Sequence, residues 1–370
     1  MEMAELSRLN GAFHVPAFAV QVDGADVQRA LKIAVSQVEV DLTLGAAGRF
    51  SMSIIDCYSI EKHAFLSGLG ADILGILTFG ANVSISMGYG DIKGLQSMLT
   101  GTITEVGTSF PESGHPELTV SGYDRAFPLT LGKNSHNWAN ASDSDVVQEI
   151  AGSHQLDTDI DRTVEHHALV EQNQEADIDF IHKLAEHNGF EFYVTGNKLR
   201  FGKPRGAGGG VVELRWGEGL LSFKPEANLA GQVSAVEVHG WDTATKKEIV
   251  GRAAAGDELD RDARRGSAAE LLQKGARSPV LRLRQPVRSQ AEADQLARAA
   301  LNERATKFLT GEGESIGLPQ IRPDSNITLG NLGSAFSRTY YVQQATHRVD
   351  GNGYRTRFKV RETTFKEGAR

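Results

Sequence analysis

Histidines are the residues of this chain whose type and spacing come closest to a chemical site, and they fall into two groups. His166 and His167 are adjacent, whereas His182 and His187 lie five residues apart in a predicted helix. A helical metal pair needs two histidines one turn apart, but a spacing of five places them about 140° apart around the helix axis. The spacing therefore favours solvated or helix-capping histidines, and we predict no metal site.

Three aspartates at alternate positions resemble the beginning of a calcium-binding loop. They are Asp157, Asp159 and Asp161. The sixth position of such a loop requires glycine and the twelfth requires a bidentate glutamate, but Arg162 and Ala168 occupy these positions. The pattern fails at both positions, so the sequence does not predict calcium binding.

Other patterns of catalytic or cofactor-binding residues are equally weak. Cys57 is the single cysteine, which excludes an intrachain disulfide and a CxxC metal site, and a buried small residue is its simplest interpretation. Gly68, Gly70 and Gly75 do not fit a dinucleotide-binding loop, and we find neither a P-loop nor a GxSxG motif. We expect no enzyme activity and no cofactor. A glycosidase-type carboxylate pair among the 47 acidic residues stays open as an alternative.

The sharpest charge feature lies in the last predicted strand, where basic residues alternate with residues expected to be buried. The basic residues are Arg355, Arg357, Lys359 and Arg361. A solvated strand face is the simplest interpretation. The alternative is contact with an acidic neighbouring subunit, because a single-sign face suits docking in a protein of net charge −8. The four residues are therefore a candidate subunit interface.

Length and composition predict a globular, β-rich protein of several domains. A chain of 370 residues exceeds one ordinary core, and 40 glycines indicate many turns. The acidic balance argues against binding of free duplex DNA, which requires a basic surface. The first residues lack a secretory signal, and the most apolar window, 65–81, is too short and too interrupted to span a bilayer.

Hydrophobic periodicity changes along the chain from that of strands to that of helices and back. Strand alternation fills the first third, where the meander from Gly80 to Leu129 predicts one wall of a small barrel and residues 59–66 suggest a short helix. Ser142 then marks the start of one helix, and Gly189 marks the end of another. These changes predict an α+β, β-rich fold with four units: a first antiparallel β-barrel at 1–125, an α+β domain at 126–210, a second, discontinuous barrel at 211–250 plus 307–366, and a helical and strand insertion at 251–306.

The final strands repeat the pattern of the opening meander. Asn82-Val83-Ser84-Ile85 matches Asn326-Ile327-Thr328-Leu329, and in each case a strand with threonine (Thr104, Thr346) and a closing strand follow. Either an old duplication or ordinary β patterning explains the match, and the sequence leaves both open. With a duplication, three copies of the chain would present six barrels in a ring.

Together these stretches resemble the phage late control protein D, or tail hub, family. That family is related to the N-terminal part of the VgrG spikes of contractile injection systems. The stretches that carry the resemblance are GANVSISMGY, LTGTITEV and PELTVSGYD in the meander, ADIDFIHKLAEHNGFEFYVTGNKLRFG in the α+β region, and YVQ with TRFKVRET in the closing strands. The resemblance implies a homotrimer with two tube-protein-like barrels per chain and pseudo-six-fold symmetry.

The resemblance also implies a function and partners. The chain would be a structural hub that joins a six-fold inner tube to a three-fold piercing spike, after synthesis in a bacterial cytoplasm and incorporation into the baseplate of a virion or injection particle. Its partners would be a tube or tube-initiator protein, other baseplate proteins and a separate spike, since VgrG-type chains continue into an OB-fold and β-helix while this sequence ends at Arg370. A tail-associated peptidoglycan hydrolase and a receptor-binding baseplate module are the alternatives.

Overall fold

The computed structural model describes most of the chain, namely residues 1–9, 13–205, 210–242, 246–259, 266–274, 278–287 and 289–365. The fold is α+β and rich in strands, as the sequence predicts. Within the described ranges, no helix is both long and apolar enough to cross a bilayer.

The first third of the chain consists mainly of strands in which buried and less buried residues alternate. Val83, Ile85 and Met87 point into the core, as their period predicts. The elements are α1 (Met3–Leu9), β1 (Pro16–Val22), β2 (Ala25–Asp26), β3 (Val35–Thr43), β4 (Arg49–Ile54), β5 (Tyr58–Ser59), β6 (Ala64–Phe65), α2 (Ile73–Ile76), β7 (Asn82–Tyr89), β8 (Gln96–Ser109) and β9 (Glu117–Asp124). The helix expected at 59–66 is wrong. That segment turns back as the β5–β6 hairpin, because the rings of Tyr58 and Phe65 pack together with centroids 5.1 Å apart.

The helical region that follows begins and ends its helices where the sequence predicts. Ser142 and Asp145 form a capping box at the start of one helix, and Gly189 ends the other with a φ of 63°. The elements are β10 (Asn134–Ser142), α3 (Asp143–Ser153), β11 (Asp157–Ile160), β12 (His166–Glu175), α4 (Asp177–Asn188), β13 (Glu191–Thr195) and β14 (Lys198–Gly202). A core of its own holds this region together, with Val147, Ile181 and Phe201 almost completely buried.

The rest of the chain returns to strands, interrupted by short helices and one long helix. Ser267 and Ser289 cap two of these helices by accepting hydrogen bonds from the amides of Glu270 and Glu292. The elements are β15 (Val212–Trp216), β16 (Gly219–Ala227), β17 (Ala235–Asp242), β18 (Lys247–Ala254), β19 (Gly266–Ser267), α5 (Ala268–Gln273), β20 (Val280–Arg284), α6 (Gln290–Ala305), β21 (Leu309–Ile316), β22 (Asn326–Gly330), α7 (Gly333–Phe336), β23 (Arg338–Asp350), β24 (Gly353–Glu362) and β25 (Thr364–Phe365).

Six strands of the second half form a closed barrel. Their order is β23-β22-β15-β16-β21-β24, and the pairing of β24 with β23 closes the ring. Aromatic side chains fill its interior, and Phe358 and Phe223 pack over Gly311 and Gly313 of β21. The prediction of a closed barrel is therefore confirmed for the second half.

The first half is an open sheet, which corrects the prediction of a separate barrel at 1–125. Its strands follow the order β1-β7-β8-β9-β4-β3, with β2 at the outer edge of β1. The free edge of β3 pairs with β23 of the other half instead of returning to β1. The tip of the β23–β24 hairpin then contributes Val349 and Tyr354 to the core of the first half. One continuous sheet of 13 strands results.

The two halves share a strand order that the sequence only suggested. In the first half the neighbours are β7-β8-β9-β4-β3, and in the second they are β22-β23-β24-β21-β16, antiparallel throughout. Corresponding strands occur in the same order along the chain. The matching segments that begin at Asn82 and Asn326 open β7 and β22, which hold equivalent places. Five strands of each half are thus arranged alike.

A separate three-stranded sheet crosses the domain boundary that the sequence predicted at residue 250. Strands β17 and β18, which the sequence placed largely in the second barrel, pair with β20 in the order β18-β17-β20 and pack on α6. Val236 and Val238 of β17 face Ala293 and Ala297 of α6, while β16 already pairs with β15 and β21. Alternation of buried and exposed residues predicts a strand but not the strand with which it pairs. The three-stranded sheet and α6 are inserted between β16 and β21.

Candidate functional site

The basic residues predicted on the last strand meet acidic residues of the neighbouring strand. Arg355, Arg357 and Lys359 are exposed on β24, as alternation predicts. Glu314 lies opposite Arg357, and the Nε of Arg357 donates to its carboxylate at 3.0 Å. Glu312 lies opposite Lys359, with Nζ 3.7 Å from Oε1. The surface around β24 is therefore mixed in sign rather than basic.

The four basic residues of β24, which we call the basic ladder, differ in their contacts: Arg361 and Arg355, at its two ends, do not form ion pairs with β21 as the middle residues do. Arg361 is only 11% exposed in its side chain, donates to Glu191 of β13 at 2.6 Å, and lies 4.5 Å from the centroid of the Tyr341 ring. It ties the helical region to the barrel and is largely buried within the chain. Arg355 makes no ion pair with any residue in the part of the chain that is described.

Outward-facing residues of both halves form one continuous polar surface, because β3 is hydrogen-bonded to β23. Neighbours across seven strands, from β16 to β9, are Ser222, Glu314, Arg357, Thr346, Asp41, Arg49 and Tyr123. Thr346 donates to Asp41 at 2.9 Å, and Gln344 donates to both oxygens of the same carboxylate at 2.9 and 3.0 Å. Arg49 lies 3.2 Å from Glu105. We call the surface formed by the seven aligned residues the cross-sheet face.

The cross-sheet face has the chemistry of a contact surface. Its charges alternate in sign, and Arg49 and Arg357 are paired with Glu105 and Glu314. Such a pattern favours orientation and selectivity in docking more than raw affinity. The sequence offered one signal for it, the alternation of Glu312 and Glu314 in LTGEGESI. The contribution of Asp41, some 300 positions from Thr346, depends on the pairing of β3 with β23.

One histidine from each predicted group meets at a buried aspartate. His187 of α4 lies 2.9 Å from Oδ2 of Asp143 through Nδ1, and His167 of β12 lies 3.5 Å from Oδ1 through Nε2. Asp143 is the first residue of α3. The other two histidines lie elsewhere: His166 faces the carbonyl of residue 140 at 3.4 Å, and His182 pairs with the acid one turn later in α4. The grouping by sequence was therefore wrong.

Charge compensation dominates this cluster. Burial alone would raise the pKa of Asp143, but the hydrogen bonds from His187 and Asn188 and the nearby imidazoles lower it overall. Burial would likewise lower the pKa of His187, whereas the hydrogen bond and the charge of Asp143 raise it above its usual value. Sequence reasoning missed Asp143, because an acid in the first turn of a helix is ordinary.

The remaining candidates from the sequence are held in structural contacts. Asp161 accepts from Arg200 at 2.7 and 2.9 Å, and Asp159 pairs with Arg205, so these aspartates face guanidinium groups. Cys57 is buried, and burial raises the pKa of its thiol.

The fold is similar to those of solved tail proteins. The prophage MuSo2 43 kDa tail protein from Shewanella oneidensis is 13% identical, with a TM-score of 0.70 over 93% of this chain and 98% of that one. The tail protein from Neisseria meningitidis MC58 is 13% identical, with a TM-score of 0.66 over 94% of this chain and 97% of that one. A component of the E. coli type VI secretion system, itself similar to T4 bacteriophage tail proteins, is 12% identical, with a TM-score of 0.57 over 95% and 79%.

At such identities the similarities establish the fold and do not single out the late control protein D family. No curated protein matches the chain at a significant level. The Alg8 N-terminal domain family matches residues 13–351, and the chain therefore belongs to the Alg8 N-terminal domain family.

Proposed function

We propose that this protein is the structural hub of a contractile phage tail or injection-system baseplate, where it joins a six-fold inner tube to a three-fold spike. The observation that carries the proposal is the repeated strand order of the two halves, β7-β8-β9-β4-β3 and β22-β23-β24-β21-β16. A homotrimer of such chains offers six similar sheets at one end while the whole assembly keeps three-fold symmetry. Closed rings of identical subunits are a common form of protein assembly.

The comparisons support this proposal through the fold. Two tail proteins, one of them from a prophage, and a type VI secretion component share the architecture over nearly the whole chain. Because one fold can serve several functions, the similarity supports the hub role only together with the repeated strand order. The proposed location is the baseplate of a virion or injection particle, and the proposed partners are a tube protein, a separate spike and other baseplate proteins.

The mechanism that we propose is mechanical coupling of the two halves. The β3–β23 pairing joins them through backbone hydrogen bonds, and the β23–β24 hairpin places side chains in both cores. The halves would then move as one body when the tube presses on the hub. In the trimer, the candidate contact residues of the basic ladder are Arg355, Arg357 and Lys359, since Arg361 is committed to Glu191.

The mass of the purified full chain in solution tests the hub role. Light scattering should give three times the 40.0 kDa of one chain, alone or after addition of the spike protein. Electron-microscopy averages of that species should show a ring with six similar lobes. A protein that stays monomeric in both conditions would contradict the proposal.

A further inference from the structure

Asp143, His167 and His187 converge at one point from three different elements, α3, β12 and α4. We propose that these three side chains bind one divalent transition-metal cation of the zinc class. Neither the fold nor the hub role requires this site, so the proposal stands apart from the proposed function.

Distances between the donor atoms suit a first coordination shell. One donor atom from each residue lies within 4.8 Å of the others. The Asp143 carboxylate is 2.9 Å from Nδ1 of His187 and 3.5 Å from Nε2 of His167. Donors bound to Zn²⁺ at their usual distances lie about 3.3 Å apart in a tetrahedron. The two contacts, one to each carboxylate oxygen, are of that order, and side-chain adjustment would bring all three donors onto one cation.

His167 supplies the observation that points to a cation rather than to a hydrogen-bonded network. Its side chain is 15% exposed, yet it makes no hydrogen bond to any residue in the described ranges. Its Nε2 points at Oδ1 of Asp143 from 3.5 Å, which is long for a hydrogen bond. Polar groups that are largely buried normally have a partner. A cation shared with Asp143 would satisfy the Nε2 lone pair.

Neighbouring side chains orient the Asp143 carboxylate, and an acidic side chain lies near the His167 imidazole. Asn188 donates to Oδ2 of Asp143 at 2.6 Å and accepts from Gln295 at 2.7 Å. Oε1 of Glu292 lies 4.0 Å from Nδ1 of His167, beyond hydrogen-bond distance, and a small shift of either side chain would bring the two into contact. A carboxylate behind a ligating histidine favours the tautomer whose other nitrogen binds the metal.

The set of donors and its exposure favour zinc over calcium or magnesium. Two imidazoles and one carboxylate are the ligands of borderline transition metals, whereas Ca²⁺ and Mg²⁺ prefer oxygen alone. His187 is 26% exposed and lines a groove of about 950 Å³ between α4 and α6. Asp143 and His167 do not line the groove, so a cation would reach them past the His187 side chain, and a water molecule could complete a four-coordinate shell.

Bound metal would stabilise the packing of the helical region. Its ligands come from α3, β12 and α4, and the residues behind them, Glu292 and Gln295, belong to α6. A cation that binds only the folded state raises stability in proportion to the logarithm of its concentration above Kd. The bound cation would therefore link α3, β12 and α4 to one another beside α6.

Calorimetric titration of the chelator-treated full chain with Zn²⁺ tests the proposal. We expect one cation per chain and a metal-dependent rise in Tm. His167→Ala and His187→Ala should each weaken binding at least tenfold. The matched control is the double variant His166→Ala, His182→Ala, which removes one exposed neighbour from each group and should bind like the wild type. Co²⁺ in place of Zn²⁺ should give visible absorption that His167→Ala abolishes.

Three results would overturn the proposal. They are no Zn²⁺ binding by the wild type, binding by His167→Ala as tight as that of the wild type, and an equal loss of binding in the control double variant. His187→Ala also removes a hydrogen bond to Asp143, so a folding defect in it would be ambiguous. His167→Ala breaks no hydrogen bond to a described residue, so a circular-dichroism spectrum equal to the wild type keeps the test decisive.

Discussion

His347 of β23 and Tyr354 of β24 lie side by side between the cores of the two halves, with Nδ1 of the imidazole 3.0 Å from the phenol oxygen. Nε2 lies 2.9 Å from the carbonyl of Ile321, so Nε2 carries the proton and Nδ1 is the acceptor, with the hydroxyls of Tyr354 and Thr356 at 3.0 and 3.1 Å. On one side of this pair, Val349 of the hairpin packs in the core of the first half. On the other side, Phe358 packs in the core of the second half. A neutral histidine is thus enclosed at the point where the two halves are joined.

Acid should weaken the fold through His347. Complete burial, together with the charge of Arg322, lowers the pKa of His347 to about 3. The unfolded chain takes up this proton near pH 6.5, so the stability is fully present above pH 6.5 and is lost as pH falls towards 3, by about 5 kcal/mol. Denaturant unfolding at several pH values should show a smaller acid loss in His347→Gln. An unchanged slope in that variant would contradict the assignment.

Ionisation of Asp124 should lower the stability of the fold as pH rises, opposite to the effect of His347 and over nearly the same pH range. It is buried and accepts from the amides of Gly48 and Ala126 at 2.9 Å, and burial raises its pKa to about 7. Its stabilising contribution is therefore complete below pH 4 and is lost as pH rises to 7, by about 4 kcal/mol. Asp124→Asn should lose less stability than the wild type over this rise. The two groups partly cancel in the wild type, and the two variants separate them by the sign of their slopes.

Gly313 should not tolerate a side chain. A Cβ there would lie 2.6 Å from ring atoms of Phe358 and 3.1 Å from Phe223, so Gly313→Ala should destabilise the barrel by about 1–3 kcal/mol. Gly107 is also in a strand, but a Cβ there meets nothing within 4 Å, so Gly107→Ala serves as the control. Equal midpoints of urea unfolding for both variants would show that the aromatic packing over β21 is looser than described.

Exchange of Arg357 and Glu314 should separate local pairing from subunit contact. Arg357→Glu places two acids opposite each other and should cost less than about 1 kcal/mol, which Glu314→Arg should restore in the double variant. The double variant keeps the pair but reverses the charge pattern of the cross-sheet face. We expect it to fold normally and to form less trimer in light-scattering measurements. A wild-type trimer fraction would exclude these two residues from the interface.

The strands and helices themselves could be predicted because they depend on local patterns. Alternation marked the inward residues of β7 and β24, Ser142 marked the start of α3, and Gly189 marked the end of α4. The β5–β6 hairpin was missed, since its turn depends on aromatic contacts that short helical patterns do not reveal. The partner of β17 was missed for a related reason, because any alternating strand can pair with several others.

By itself, the sequence determined most of the strands and helices and the buried face of each, since these depend on residues close together in the chain. Only the tertiary structure decided which strands pair, that one half closes and the other stays open, and that β3 joins β23. It also decided the chemistry of the candidate sites. Glu314 neutralises Arg357, and His167 meets His187 at Asp143, because chain folding brings together residues whose separation in sequence carries no information about contact.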